Sequence, residues 1–177
     1  MAIRTNEYKI RAVELSDVPQ LSEVGRFSFQ EAFGDTNSTE DMEVYLDRSF
    51  NLDILKRQIL KGNIFYLAES VSMAVGYFKL LHGPKVPEVD NLNCIQLERI
   101  YVRKECYGLG LGAALMKTAI DYCVIHKIDY LWLGVWQENQ RAITFYENFG
   151  FEKVGTKLFK IGENVTEDFV MLLKIKS

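Results

Sequence analysis

A chain of 177 residues, 48% hydrophobic and 25% charged, has the length and composition of one globular domain able to bury a full core. Its net charge of −3 supplies no basic field for nucleic acid, no long apolar run marks a membrane span, and Met1–Glu7 carry no apolar signal core. Three cysteines, Cys94, Cys106 and Cys123, fit no zinc spacing and leave one over in any disulfide scheme, so a reduced cytoplasm is the simplest setting. Tyr8–Val13 alternates apolar and polar and predicts a strand. Ser16 then caps a helix with Pro19 in its first turn, and Leu21, Val24 and Phe27 or Ser28 lie along one side. Thr36–Glu40 is polar and turn-like. Helices follow near Glu40–Arg48 and Leu52–Lys61, the second capped by Asn51 and stopped by Gly62. Ile64–Glu69 and Met73–Leu81 read as paired strands across Ser70–Ser72, and His82–Asn93, with Pro84 and Pro87, as a loop. Cys94–Val102 is a strand rich in β-branched residues.

The segment Tyr107–Gly112, Tyr-Gly-Leu-Gly-Leu-Gly, feeds directly into the amphipathic run Ala113–Lys127, where Leu111, Ala114, Leu115, Ala119, Tyr122 and Cys123 share a face. Glycines allow a tight turn with exposed N–H groups, and a helix N-terminus aimed at that turn favours phosphate. A cofactor carrying a pyrophosphate is therefore expected, and a bulky residue at Gly110 or Gly112 should block its approach. A dinucleotide fingerprint fits poorly. Arg103–Tyr107 separate the strand from the glycines, and the next strand ends in Val135-Trp136-Gln137, with no carboxylate for a ribose. No Lys-Ser/Thr pair follows the glycines, which excludes a P-loop.

Tyr130–Trp136 reads as a strand covered on both faces. Asn139 caps a helix through Asn148, ended by Gly150, and Phe151–Lys160 and Glu167–Lys174 are strands around Gly162–Thr166. The sum is a single α/β (α+β) domain over residues 1–177, with a mixed sheet of about seven strands and four or five helices.

Leu97-Glu98-Arg99-Ile100-Tyr101-Val102, the loop Tyr107–Gly112, and Asn139-x-x-Ala142-Ile143-x-Phe145-Tyr146-Glu147-x-x-Gly150-Phe151, in that order, resemble the signature of the GNAT N-acetyltransferases. The opening Ile10-Arg11 with Asp17 is similar to the first strand and helix of that fold. Tyr107 holds a position where the family usually has Gln or Arg. Phe29-Gln30-Glu31-Ala32-Phe33, Asn37-Ser38, Tyr45-Leu46, Phe50-Asn51, and Trp132–Trp136 with Glu138-Asn139 further resemble the PaiA-type spermidine/spermine acetyltransferases.

The resemblance implies a GNAT fold with a mostly antiparallel sheet, acetyl-CoA as cosubstrate and direct transfer of acetyl to a primary amine, with a polyamine as the expected acceptor. It implies that the backbone of Ile100, Tyr101 and Val102 pairs with the pantetheine arm. Tyr107, Gly108, Leu109, Gly110, Leu111, Gly112 and Ala113 would hold the pyrophosphate, and Asn139 would add a cofactor contact besides its capping role. Tyr146 would protonate the departing sulfur. With ordinary pKa values of about 10 for Tyr and about 8.5 for a thiol, that transfer is uphill by about 2 kcal/mol. Glu98 is the candidate base, since an amine of pKa about 10.4 is almost wholly protonated at neutral pH; as a strand residue it could instead pair with Arg99. The acids Glu31, Asp35, Glu40, Asp41, Glu43 and Asp47 would steer a polycation, with Glu31 and Asp35 as substrate contacts. No residues suggest a metal, a nucleic acid or a membrane, and a homodimer is left open. Cys106 lies beside the loop without a neighbouring His base, which argues against an acyl-enzyme. The alternatives are acetylation of protein N-termini or lysines, and an inactive acyl-CoA-binding regulatory module.

Overall fold

The computed structural model describes residues 8–71, 73–83, 85–86, 92–162 and 164–176. Its strands are β1 (Tyr8–Ala12), β2 (Ile64–Ser70), β3 (Met73–His82), β4 (Cys94–Val102), β5 (Tyr130–Trp136), β6 (Glu152–Ile161) and β7 (Asn164–Lys174). The helices are α1 (Val18–Phe33), α2 (Thr39–Phe50), α3 (Leu52–Leu60), α4 (Leu111–Ile125) and α5 (Gln140–Asn148). The sheet has seven strands in the order β1-β2-β3-β4-β5-β7-β6. The pairs β1–β2, β2–β3, β5–β7 and β6–β7 are antiparallel, and β4–β5 is parallel. The chain forms two compact units, one up to Leu80 with Arg99–Thr118, the other Leu81–Glu98 with Ala119 onward.

In the first unit, an ion-pair knot ties β1 and β2 to the turn that opens α1. Arg11 donates from Nη1 and Nη2 to Asp17 at 2.6 and 2.8 Å, and from Nε and Nη2 to Glu69 at 3.0 and 2.6 Å. Asp17 also accepts from the Glu14 N–H at 2.7 Å. The expected cap at Ser16 is therefore corrected. A 3-10 turn at Leu15–Asp17 precedes the helix, with Glu14 and Asp17 in a reciprocal capping arrangement, because Asp17 can satisfy a backbone donor and Arg11 together. The Arg11 bonds hold the Asp17 carboxyl below its usual range against the opposing effect of burial.

A depressed carboxylate contributes stability above its unfolded pKa, near 3.9, and loses it as pH falls through the lower folded value. Arg11→Ala should thus cost about 2 kcal/mol at pH 7. Thermal melts should show that deficit shrinking below about pH 4, as the wild type loses the same contribution.

The buried stripe of α1 is Val18, Leu21, Val24, Gly25, Ser28 and Phe29. Ser28 takes the inner position, its hydroxyl donating to the Val24 carbonyl at 2.6 Å, and Phe27 faces out. Gly25 lies against the Phe50 ring so closely that an added Cβ would collide with it. Alanine would gain about 1 kcal/mol of helix propensity, whereas overpacking costs about 1–3 kcal/mol. Gly25→Ala should therefore be net destabilising, visible as a lower urea midpoint.

Helix α2 begins at Thr39 with Ser38 as its cap, accepting from the Asp41 N–H, so the expected polar stretch Thr36–Glu40 is partly helical. Asn51 caps α3 by accepting from the Asp53 N–H, as expected, and Gly62 follows it at φ +85°. The turn after β2 contains Ser72, outside the described residues, as are Pro84 and 87–91 of the expected loop.

In the second unit, β5 puts Leu131, Leu133 and Val135 on one face and Trp132, Gly134 and Trp136 on the other. The first three are buried, and Trp132 packs with Val86 and Val170. The final turn is tighter than expected. Ile161 already pairs with Asn164, so β7 starts three residues before Glu167. Sequence polarity hid this, since Asn164 and Thr166 sit in a paired strand. Cys123, 0% exposed, has its thiol pushed up to about 12 by burial.

Candidate active site

The path from β4 to α4 is fixed by the backbone. The Arg103 N–H donates to the Val75 carbonyl at 2.9 Å, holding the end of β4 against β3. A 3-10 turn spans Lys104–Cys106, and Cys106 N–H and Tyr107 N–H return to the carbonyls of Arg103 and Lys104 at 2.8 and 3.1 Å. Gly108 and Gly110 follow with φ of +77° and +78°, left-handed conformations that side chains rarely adopt. The chain then enters α4, whose first intrahelical bond, from the Ala114 N–H to the Gly110 carbonyl, measures 3.0 Å. The N–H groups of Leu111, Gly112 and Ala113 lie before that bond and have no intrahelical acceptor. No acidic side chain stands in this first turn. The result fits an anion: two left-handed glycines and a helix N-terminus aimed back along the turn.

Gly112 sits inside α4, so close approach alone is at stake there, whereas at Gly110 backbone conformation is also involved. On β3, Gly76 has Tyr101 O at 3.0 Å, Leu115 Cδ1 at 3.2 Å and Val102 Cγ2 at 3.4 Å from where a Cβ would be. Its small size thus seats β4 and α4 together. A glycine inside an apolar strand was the sequence signal for such an approach, and it was passed over.

Ile100, Tyr101 and Val102 are half-buried. The Tyr101 ring is packed edge-on to Phe29 at 5.8 Å and Phe33 at 6.3 Å, and 6.0 Å from Tyr77. Aromatic packing thereby fixes the backbone of this segment. Glu31, near the end of α1, accepts from the Lys104 N–H at 2.9 Å. It has a structural duty in the turn before the glycines, one that spacing could not reveal. Arg103 stacks on Phe27 at 4.8 Å, and Arg99 stacks on Phe50 at 4.7 Å and donates to the Ser49 carbonyl at 3.3 Å. Asp35 is exposed in the 3-10 turn Gly34–Thr36. Of the other acids, Asp47 pairs with Arg26 at 2.6 Å and Asp41 belongs to the α2 cap, accepting from the Ser38 hydroxyl at 2.9 Å. Tyr107 is exposed, Cys106 is buried, and burial is the main cause that raises the Cys106 thiol.

In the second unit, Asn139 precedes α5 and its Oδ1 accepts from the Ala142 N–H at 3.1 Å, the capping role expected of it. Tyr146 lies in the last turn of α5, its ring edge-on to Phe151 at 5.7 Å and Phe145 at 5.4 Å. Its carbonyl accepts from Phe149 and Phe151 N–H, which locks the helix end. Burial pushes the Tyr146 phenol up, so the hydroxyl is protonated at neutral pH. Glu98 is exposed on β4. The β4–β5 register consists of Cys94↔Tyr130, Ile95↔Leu131 and Gln96↔Trp132, while the strands run on to Val102 and Trp136. Among the described residues no cluster of His, Cys, Asp and Glu could hold a metal, and no described helix is long and apolar enough to cross a membrane.

The model of the acetyltransferase (GNAT) family matches residues 27–151. An uncharacterized N-acetyltransferase of Lactobacillus delbrueckii subsp. lactis is 34% identical over 165 residues, 92% of this chain and 95% of the relative. The spermine/spermidine N(1)-acetyltransferase of Bacillus subtilis is 28% identical over 104 residues, 58% of this chain and 64% of the relative. The crystal structure of a PaiA N-acetyltransferase from Thermoplasma acidophilum in complex with coenzyme A superimposes with a TM-score of 0.79. It is 23% identical and covers 95% of this chain and 99% of its own.

Proposed function

The chain belongs to the acetyltransferase (GNAT) family, and on that premise we propose that it moves acetyl from acetyl-CoA directly to a primary amine, with a polyamine such as spermidine as acceptor. The observation that carries this is the turn itself: Gly108 and Gly110, both left-handed, deliver the chain into α4 with its first N–H groups ahead of the helix bonds. Residues Tyr107–Ala113 would hold the pyrophosphate, the backbone of Ile100–Val102 the pantetheine arm, and Asn139 a further cofactor contact. The amine lone pair attacks the thioester carbonyl, the C–S bond breaks, and the sulfur takes its proton from Tyr146. Glu98 would receive the proton of the amine. Orientation of the two substrates supplies much of the rate. The raised Cys106 thiol is a poor nucleophile, in keeping with transfer that forms no acyl-enzyme.

Polyamine preference is supported by the Bacillus subtilis relative's name and by the exposed acids Asp35, Glu40 and Glu43. A panel of amines with acetyl-CoA, read by thiol release, tests both levels. Spermidine should be preferred to monoamines, and its KM should rise with ionic strength as charge pairing is screened. Asp35→Asn should raise KM for spermidine more than for a monoamine. Faster acetylation of a peptide N-terminus than of any polyamine would remove the polyamine claim and leave the transferase.

A further inference from the structure

Antiparallel register carries the Trp132–Gly134–Trp136 face of β5 across the neighbouring strands. Gly134 lies opposite Val170 and Trp136 opposite Asp168, and Asp168 lies opposite Lys157 on β6. Asp168 is 6% exposed and Trp132 3%. Asp168 Oδ1 accepts no hydrogen bond from the described residues, and the Trp132 indole N–H donates none. Buried carboxylates are normally bonded, because an unpaired one is expensive to desolvate. Here burial raises the Asp168 carboxyl, and only the charge of Lys157 opposes that.

Lys157 lays its chain over Gly134. A Cβ at Gly134 would collide with Lys157 Cε and come within 2.9 Å of Nζ and 3.3 Å of Asp168 Oδ2. Nζ stands 5.8 Å from the centre of the Trp132 ring. A carboxylate and an indole face around one ammonium are the elements that recognise an alkylammonium ion. The ammonium now among them is tethered by a flexible four-carbon stem.

We propose that this is an alkylammonium-binding site for the acceptor amine: Lys157 is an internal stand-in that withdraws, Asp168 pairs with the incoming ammonium, and Trp132 supplies the ring face. Glycine at 134 is what leaves room on β5 for either occupant. The proposal rests on the amine-acceptor reading above and places the acceptor's charge on named residues.

The chain has two tryptophans, Trp132 and Trp136, and both flank Gly134, so emission under tryptophan-selective excitation, which leaves out the tyrosines, reports from beside this site. Spermidine added to the full chain without acetyl-CoA should change the emission saturably. Asp168→Asn should raise the spermidine Kd tenfold or more, and Lys157→Met, which keeps the stem and removes the competing charge, should lower it. KM for the amine should follow both shifts, with KM for acetyl-CoA unchanged. Equal spermidine affinity in the wild type and either folded variant, or no fluorescence response, overturns the site. Saturable binding without thiol release would leave the site standing and remove the proposed activity. Normal turnover with an unmoved amine KM in Asp168→Asn would do the reverse.

Discussion

Tyr146→Phe is expected to lower kcat by about ten- to a thousandfold, in line with loss of a general acid, while acetyl-CoA affinity and fold are retained. The substitution removes one hydroxyl and keeps the ring that packs edge-on to Phe151 and Phe145. Burial raises the phenol, so its proton is present throughout the neutral range, at the cost of a transfer to sulfur uphill by more than the about 2 kcal/mol of an ordinary tyrosine. A bound cationic amine reduces that penalty. The sign also fixes the pH profile. An acid raised above its ordinary value of about 10 gives no alkaline fall in kcat below that pH. Single-turnover rates across pH 7–10 check both points. Turnover within twofold of wild type, with chemistry rate-limiting, would reduce Tyr146 to packing.

Gly110→Val is expected to weaken acetyl-CoA binding by tenfold or more, about 1.4 kcal/mol at the least. No atom of the described residues lies within 4 Å of a Cβ at Gly110, so the effect is conformational and not a clash. At φ +78° a β-branched residue is strained by about 1–3 kcal/mol. The loop either stores that strain or relaxes to negative φ, which turns the next N–H groups away from a phosphate. Calorimetric titration with coenzyme A measures the loss, and Gly110→Ala should fall between. Unchanged affinity in folded Gly110→Val protein would mean that the turn is not the phosphate cradle.

Elements with strong local signals were legible in the sequence. Cys94–Val102 and Tyr130–Trp136 form strands with the predicted bounds, because β-branched residues in the first and an aromatic, aliphatic run in the second favour extended chain between turn-forming breaks. Asn51 and Asn139 cap helices as their positions suggested. The start of α1 was misplaced because Ser16 looks like a cap in sequence, whereas Asp17 is held at the turn by Arg11, a tertiary partner. Met116, 0% exposed, escaped the predicted α4 face because that helix is apolar around most of its girth. The glycine turn was visible in sequence, and its left-handed angles only in the structure. Glu31 and Asp168 were the hardest. The partner of Glu31, the Lys104 N–H, lies 73 residues away and no periodicity encodes it, whereas Asp168 faces Lys157 across the β6–β7 hairpin and a carboxylate inside an apolar strand was a flag for it.

The placement of β7 between β5 and β6 governs how the polypeptide matures during synthesis. β5 and β6 are synthesised before β7, yet they are not neighbours in the sheet, and the strand that joins them comes after both. Until it arrives, both present open edges able to recruit other chains. Closure between β5 and β6 therefore waits for β7. A released chain cut short before Asn164 would keep its Trp132 face uncovered, since Val170 packs there, and would be a substrate for chaperones and proteases.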